Sequence, residues 1–175
     1  MKYKEGKLLP YVALGLFMGL RPEEIARLNW KHVDLDQKLI RIQGDVAKLR
    51  QRRVIAMPVN AVEWLRACYG KLIVPPNMRR AWNAVRRMAG FTGSRHQAGD
   101  DNLKPWPQDV IRHTAISFHY AFGKDEDATA YWAGNSPSTI HSFYKGLVNP
   151  QDAQDFMGMK PTNLDPRIIP LPLAA

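Results

Sequence analysis

Hydrophobic residues recur at helical spacing along most of this chain, and proline, serine or asparagine precedes several of these segments. Leu8–Met18 is predicted to be a buried helix that ends near Gly19. The stretch Arg21-Pro22-Glu23-Glu24 predicts the start of a second helix, because proline fits the first helical position and acids there favour the helix dipole. Further helices are predicted at Ala61–Tyr69 and Met78–Met88, capped by Asn60 and Asn77, and then at Gln108–Phe122, Asp125–Ala133, Pro137–Tyr144 and Pro150–Met157.

Short strands are predicted in one region, between the second and third helices. The segments Val33–Asp36, Leu39–Ile42 and Arg53–Pro58 have the apolar and β-branched composition of strands, and Gln37-Lys38 forms a turn between the first two. The pattern therefore predicts an α+β fold that is mainly helical, with a small three-stranded antiparallel sheet. The hairpin of this sheet carries four cations: Lys48, Arg50, Arg52 and Arg53.

Two segments lack a regular pattern. Residues Phe91–Pro107 are rich in glycine, serine, aspartate, asparagine and proline, which predicts a long exposed loop of the kind that is uncommon unless it binds something or moves. The last residues, 161–175, contain four prolines and are expected to be extended. We therefore expect one domain over residues 1–160, followed by a proline-rich tail over 161–175.

Composition narrows the class of protein. The 175 residues are 45% hydrophobic, which excludes disorder over most of the length, and the single cysteine, Cys68, excludes an intrachain disulfide framework. No apolar stretch reaches the roughly 20 residues that span a bilayer. The 25 Lys and Arg residues exceed the 16 Asp and Glu residues, giving a net charge of +9, and this excess indicates an anionic partner, foremost nucleic acid. We expect a cytoplasmic, nucleoid-associated protein.

Several common kinds of site are missing from the sequence. It contains no glycine-rich phosphate loop and no cysteine and histidine cluster with metal-ligand spacing, and His113 and His119 fall on different sides of one helix. We therefore expect neither a metal nor a cofactor. The residues with chemical promise are three cations and a tyrosine in distinctive local contexts, namely Arg21, Lys48, Arg112 and Tyr144.

The contexts of these four residues resemble, in chain order, the motifs of the tyrosine recombinase (phage integrase) family. The first-arginine motif is matched by Leu14–Asp34, which reads LGLFMGLRPEEIARLNWKHVD, and the hairpin lysine by Ala47-Lys48. The second-arginine motif is matched by Ile111–Ala115. Trp132–Ser136 and Phe143–Lys145 match the terminal motif with its tyrosine. The resemblance covers nearly all of residues 8–156 and implies the DNA breaking-rejoining fold of that family.

The resemblance implies metal-free strand transfer on double-stranded DNA. Arg21 and Arg112 would bind the scissile phosphate, Lys48 would protonate the departing 5′-oxygen, and Tyr144 would form a covalent 3′-phosphotyrosine. The chemistry suits these residue types, because planar guanidinium groups donate paired charge-assisted hydrogen bonds to phosphate oxygens and a phenolic oxygen can attack phosphorus. The resemblance also implies self-association on DNA through the C-terminal segment.

Two positions depart from the pattern of the family. Asp109 stands where a histidine is usual; its carboxylate either turns away, pairs with Arg112 or Arg21, serves as a base, or stabilises the first turn of its helix. Asn135 stands where a histidine or tryptophan is common, and it either donates a hydrogen bond to a phosphate oxygen or serves as a turn residue. Losing one transition-state donor typically costs roughly 10²–10³ in rate, so we expect a slow enzyme.

The same residues are also consistent with a protein that has no catalytic activity. Arg112 could pair with Asp109 on one helical face, and Tyr144 could be a core aromatic beside Phe143. A chain that kept the fold and lost efficient chemistry would be an integrase-like DNA-binding module. A generic RNA-binding protein is less favoured, because no aromatic RNA-binding signature is present.

Overall fold

The computed structural model describes residues 6–44, 52–92 and 103–161. Within these ranges the chain is mainly helical with one three-stranded antiparallel sheet, which confirms the predicted fold class. The helices are α1 (Leu9–Met18), α2 (Pro22–Arg27), α3 (Val59–Arg66), α4 (Met78–Met88), α5 (Val110–Gly123), α6 (Glu126–Ala133), α7 (Pro137–Tyr144) and α8 (Pro150–Met157), and the strands are β1 (Val33–Asp34), β2 (Leu39–Ile42) and β3 (Arg53–Ala56).

The sheet has the strand order β1-β2-β3, and its middle strand pairs Ile40 with both Val33 and Ile55. Side chains alternate along β3, so that Arg53 and Ile55 are buried whereas Val54 is exposed. An arginine therefore occupies a position on the inner face of the sheet. The first and third strands are shorter than predicted and end at Asp34 and Ala56.

Helix α1 lies at the centre of the core and packs against both α3 and α5. Its Leu14 and Met18 are fully buried. Gly15 allows the close approach of α5, since a Cβ atom at this position would lie 2.9 Å from Cγ2 of Ile111. Because Ile111 directly precedes Arg112, this contact determines where the second arginine of the predicted site lies. No helix in the described ranges combines the length and apolar character needed to cross a membrane.

The predicted starts of the last three helices are confirmed, and each has a side-chain cap. Asp125 accepts a hydrogen bond from the backbone N–H of Ala128 at 2.9 Å, which caps α6. Ser136 and Asn149 act in the same way at the starts of α7 and α8. Each cap satisfies one of the backbone N–H groups that have no partner within the helix.

Neither of the two predicted asparagine caps forms a side-chain capping hydrogen bond, although Asn77 does occupy the N-cap position of α4. Helix α3 begins one residue before Asn60, after Pro58, and the Asn60 side chain is instead buried and donates to the carbonyl oxygen of Phe156 at 2.9 Å. It thereby joins α3 to α8. Asn77 precedes α4, but its backbone is left-handed (φ 60°) and its side chain makes no capping hydrogen bond. A long-range partner in one case and backbone geometry in the other override the local preference for asparagine at a cap.

The predicted loop is described only at its two ends. Phe91 forms an isolated bridge with Lys104, which closes the segment at its base. Trp106 packs edge-on against Trp82 of α4 and against Phe91, and the guanidinium of Arg86 lies 5.4 and 5.2 Å from the rings of Trp82 and Trp106. The loop ends are thus attached to α4 through aromatic and cation–π contacts.

Candidate active site

Arg21 lies at the N-cap of α2, where its backbone N–H donates to Oε2 of Glu24 at 3.0 Å. Its side chain reaches across the molecule to the junction between α6 and α7. There Nη2 donates to the carbonyl oxygen of Gly134 at 2.7 Å and to Oδ1 of Asn135 at 2.8 Å. The guanidinium is therefore held by contacts more than a hundred residues away in sequence.

Arg112 lies in the first turn of α5 and is buried. Its Nη1 donates to the carbonyl oxygen of Gly19, and its Nη2 donates to the carbonyl oxygen of Ala133 at 2.7 Å and to Oδ1 of Asn135 at 3.1 Å. Burial, and after it the charge of Arg21, lowers the pKa of Arg112 to about 10, so the group remains a cation at neutral pH.

Asn135 joins the two arginines through a single atom. Its Oδ1 accepts a hydrogen bond from each guanidinium, and because guanidinium groups only donate, the amide oxygen must be the atom that faces them. The predicted role of Asn135 as a hydrogen-bond donor concerns a DNA complex and stays a prediction. In the DNA-free chain, this side chain is an acceptor shared by two cations.

Tyr144 ends α7 and is 5% exposed. Burial raises the pKa of its phenol; the charges of Arg112 and Arg21 act in the opposite direction, and that of Asp109 raises the pKa further. The ring of His113 stacks on the Tyr144 ring, with centroids 5.4 Å apart and an interplanar angle of 27°. The tyrosine is therefore buried and within electrostatic range of both arginines.

Asp109 is exposed and precedes α5 with a left-handed backbone (φ 50°). Its carboxylate makes no capping hydrogen bond to the helix, and across the described residues it forms no ion pair with Arg21 or Arg112. Pairing with an arginine, one of the alternatives open from the sequence, is therefore not seen. Its charge raises the pKa of Tyr144, so the carboxylate lies within electrostatic range of the tyrosine.

A buried ion pair next to Arg21 was not among the predicted site residues. The carboxylate of Glu24 accepts hydrogen bonds from Nη1 and Nη2 of Arg53 at 3.0 and 3.1 Å, and both residues are buried. Burial by itself would raise the pKa of Glu24, but hydrogen bonds from Arg53 and from the Arg21 backbone, together with both charges, hold it below its ordinary value. This pair links β3 to the start of α2.

Two local features of the sequence point to this pair. Glu24 stands three residues after Arg21 and so fits the third position of a capping box, where a carboxylate reaches back to the N-cap backbone. Arg53 shares its strand face with Ile55 and Met57, both buried, so the alternation places it inside. Neither feature predicts that Glu24 and Arg53 pair with each other, because the two residues come from separate elements.

Gly134 allows the side chains of Arg21 and Arg53 to approach the junction between α6 and α7 closely. It has a left-handed backbone (φ 66°), and a Cβ atom there would lie 3.0 Å from Cζ of Arg53 and 3.2 Å from Nη1 of Arg21. A larger residue would therefore suffer both backbone strain and a collision with two guanidinium groups. The site needs glycine at this position so that a main-chain carbonyl can approach the arginines.

Of the predicted site residues, Arg21, Arg112 and Asn135 are joined by hydrogen bonds, and Tyr144 lies within electrostatic range of both arginines. Asp109 lies within electrostatic range of Tyr144. Lys48 lies outside the described residues. In the part of the chain that the structure describes, no group of three or more His, Cys, Asp or Glu side chains is arranged as metal ligands.

Comparison with known proteins identifies a family model and several solved structures of similar fold. A model of the phage integrase family matches residues 5–117. Among solved structures, the XerA recombinase aligns with a TM-score of 0.56 at 16% identity, covering 90% of this chain and 64% of that one. The Tn1549 transposon integrase, in complex with a circular intermediate DNA, aligns with a TM-score of 0.52 at 15% identity, covering 86% of this chain and 58% of that one. This chain thus spans about three fifths of the length of these structures, and no curated protein sequence matches it.

Proposed function

The chain belongs to the phage integrase family, and from this premise we propose that it acts as a site-specific DNA recombinase or integrase of the tyrosine type. It cuts and rejoins double-stranded DNA through a covalent 3′-phosphotyrosine. The observation that carries the proposal is the convergence of Arg21 and Arg112 on one acceptor atom, with a buried tyrosine within electrostatic range of both.

The two arginines supply the positive charge that phosphoryl transfer without a metal requires. Negative charge builds on the nonbridging oxygens of the pentacoordinate transition state, and donors fixed in advance stabilise it without reorganising during the reaction. Main-chain carbonyls of Gly19, Ala133 and Gly134 hold the guanidinium groups of Arg21 and Arg112 in place. This network favours a rigid anion site over a flexible basic surface.

Tyr144 is the proposed nucleophile. Its phenolic oxygen bonds to the phosphorus, the bond from phosphorus to the 5′-oxygen breaks, and the departing 5′-oxygen takes a proton, for which Lys48 is the proposed donor. Because burial raises the pKa of Tyr144, the phenol is protonated at neutral pH and must lose its proton during attack. Asp109 is the nearby carboxylate for an auxiliary role as base, and Asn135 is the auxiliary donor to the phosphate.

A suicide substrate tests this proposal. Duplex DNA nicked close to the cleavage site loses its short 5′-hydroxyl fragment after attack, so the covalent adduct accumulates and is visible as a shifted band on a denaturing gel. We expect an adduct with the unmodified protein and none with Tyr144→Phe. Tyr131→Phe is the matched control, since Tyr131 is 60% exposed on α6, and it should form the adduct normally. An adduct that persists in Tyr144→Phe, or none with any substrate, contradicts the proposal.

A DNA-binding module without catalysis is the second candidate. The burial of Tyr144 and the occupation of the arginine Nη2 groups by internal acceptors favour it. This candidate is supported if the chain binds duplex DNA in a salt-dependent manner, equally well with Tyr144→Phe, and forms no adduct under any condition.

Double-stranded DNA is the proposed partner in both cases. Self-association on DNA through residues 161–175, which lie outside the described ranges, stays a prediction. Analytical ultracentrifugation with and without duplex DNA, on the full chain and on a chain ending at residue 160, tests it. Loss of DNA-dependent association in the shorter chain is the expected result.

A further inference from the structure

The Nη2 groups of Arg21 and Arg112 use their hydrogens in the same way. Each gives one to a main-chain carbonyl, at 2.7 Å in both cases, and the other to Oδ1 of Asn135, at 2.8 and 3.1 Å. The carbonyls belong to the backbone and hold the guanidinium groups in position. The amide oxygen, in contrast, lies at the end of a side chain that can rotate away.

An oxygen between two guanidinium groups compensates for their mutual repulsion. The charge of Arg21 is the second largest cause, after burial, of the lowered pKa of Arg112, so the two cations repel each other across this short separation. The amide oxygen carries only a partial negative charge. A phosphate oxygen has the same acceptor geometry and a larger charge, and therefore fits the same position better.

We infer that, in the DNA-free protein, the amide oxygen of Asn135 occupies the position that a nonbridging oxygen of the scissile phosphate takes in the DNA complex. The phosphate displaces it on binding. This inference rests on the proposed function for the identity of the phosphate. In the absence of DNA, Asn135 thus keeps the two guanidinium groups directed at one position, which the phosphate occupies when DNA binds.

The residue type at position 135 suits this exchange. The resemblance places a histidine or tryptophan here; an indole N–H only donates, and an imidazole has at most one acceptor nitrogen, with a single lone pair. Neither can bridge two guanidinium groups. An amide oxygen has two acceptor lone pairs, so Oδ1 of Asn135 can accept from both guanidinium groups at once. The amide oxygen therefore holds this position only until a phosphate oxygen, with its larger negative charge, replaces it.

Inorganic phosphate is the probe, and thermal unfolding at constant ionic strength, adjusted with NaCl, is the measurement. Without phosphate, we expect Asn135→Ala to lower Tm by roughly 3–6 °C, because two charge-assisted hydrogen bonds are lost. Phosphate should then bind this variant more tightly than the unmodified protein, on the order of tenfold, since it no longer displaces the amide. The Tm difference between the two proteins should therefore shrink as phosphate is added.

Ser136→Ala is the matched control. It removes the cap of α7 at the adjacent position and should lower Tm by roughly 2–4 °C. Because Ser136 does not contact either arginine, phosphate should leave its Tm difference from the unmodified protein unchanged. A difference for Asn135→Ala that also stays constant would show that Asn135 is merely a turn residue and would overturn the inference.

Asn135→Asp provides a second test, in which Tm and phosphate affinity should change in the directions opposite to those expected for Asn135→Ala. A carboxylate fills the position with a full charge, so we expect a higher Tm without phosphate and phosphate affinity at least tenfold weaker than that of the unmodified protein. Unchanged phosphate affinity overturns the inference while leaving the proposed function intact. If phosphate does not stabilise even the unmodified protein, the arginine pair is no anion site and the inference falls; the adduct assay with Tyr144→Phe then decides the proposed function separately.

Discussion

At the scale of single residues, Glu24 is a buried link between Arg53 and Arg21 that was not among the predicted catalytic residues. Its fully buried carboxylate binds the guanidinium of Arg53 and the backbone of Arg21. Removing one partner of a buried ion pair leaves the other charge uncompensated in a medium that solvates it poorly. The consequence is a strong dependence of stability on this one carboxylate.

We therefore expect Glu24→Ala to reduce the free energy of unfolding by about 3–5 kcal/mol, measured by urea denaturation. The double variant Glu24→Leu with Arg53→Met is the control, because it removes both charges at similar volume and should recover most of that loss. A double variant as unstable as the single one would show that the loss comes from packing and not from the charge.

A second prediction for a single residue concerns Arg112. A lysine in its place keeps the charge but has no planar fork with which to bind a phosphate oxygen and two carbonyls together. We expect Arg112→Lys to lower the rate of adduct formation on the suicide substrate by roughly 10²–10³-fold. Arg66→Lys, at an exposed arginine on α3, should leave the rate unchanged. Equal effects of the two variants would argue against a specific role for Arg112.

At the scale of elements, His119 sits between α5 and α6. Its ring stacks on Trp132 at a centroid distance of 4.0 Å, and its Nδ1 lies 3.1 Å from Oγ1 of Thr129. Trp132 in turn donates to the carbonyl oxygen of Ala56 at the end of β3. Burial lowers the pKa of His119 to about 4, so the folded protein keeps this imidazole neutral.

This shift predicts a loss of stability in mild acid. The unfolded chain binds a proton at His119 near pH 6.5, whereas the folded chain does so only near pH 4. The neutral imidazole therefore makes its full contribution to the free energy of unfolding above pH 6.5, and this contribution is lost as the pH falls from 6.5 to 4. The loss is at most about 3 kcal/mol. In urea denaturation at a series of pH values, His119→Phe, which retains the ring stack, should show a smaller decline over this range. A decline as large as that of the unmodified protein would assign the effect to another group.

The elements also show which features local sequence can predict. The starts of α6, α7 and α8 were predictable because a cap is decided by residues within one helical turn. The local pattern predicts Asn60 as a cap, but its side-chain partner is the Phe156 carbonyl, 96 residues away. The meeting of Arg21, Arg112 and Asn135 could be expected only by resemblance, since it depends on three separate elements. The acceptor role of the Asn135 oxygen follows from their packed arrangement alone.

At the scale of the whole molecule, the net charge of +9 predicts salt-sensitive binding to DNA. Helix α4 has no buried residue and carries four arginines: Arg79, Arg80, Arg86 and Arg87. Such a basic helix, attached to the loop ends through Trp82 and Trp106, is a surface suited to the phosphate backbone.

Replacing an arginine that contacts a phosphate should reduce the slope of log affinity against log salt by about 0.9. We expect this reduction for Arg79→Gln, measured by fluorescence anisotropy with duplex DNA at several salt concentrations. Arg66→Gln, on a different helix, is the comparison and should leave the slope unchanged. An identical change in both variants would mean that α4 has no special part in binding.

Helix α7 connects the arginine pair to Tyr144. Asn135 and Ser136 immediately precede its first turn, next to the arginine pair, and Tyr144 is its last residue. Eight residues at about 1.5 Å each make an arm of roughly 12 Å, so a tilt of about 10° at the pivot moves the far end by roughly 2 Å. Misplacement of about 1 Å can cost 10²-fold in rate. If Tyr144 is the nucleophile, as proposed, we expect the contacts that hold the arginines also to affect the position of its hydroxyl group.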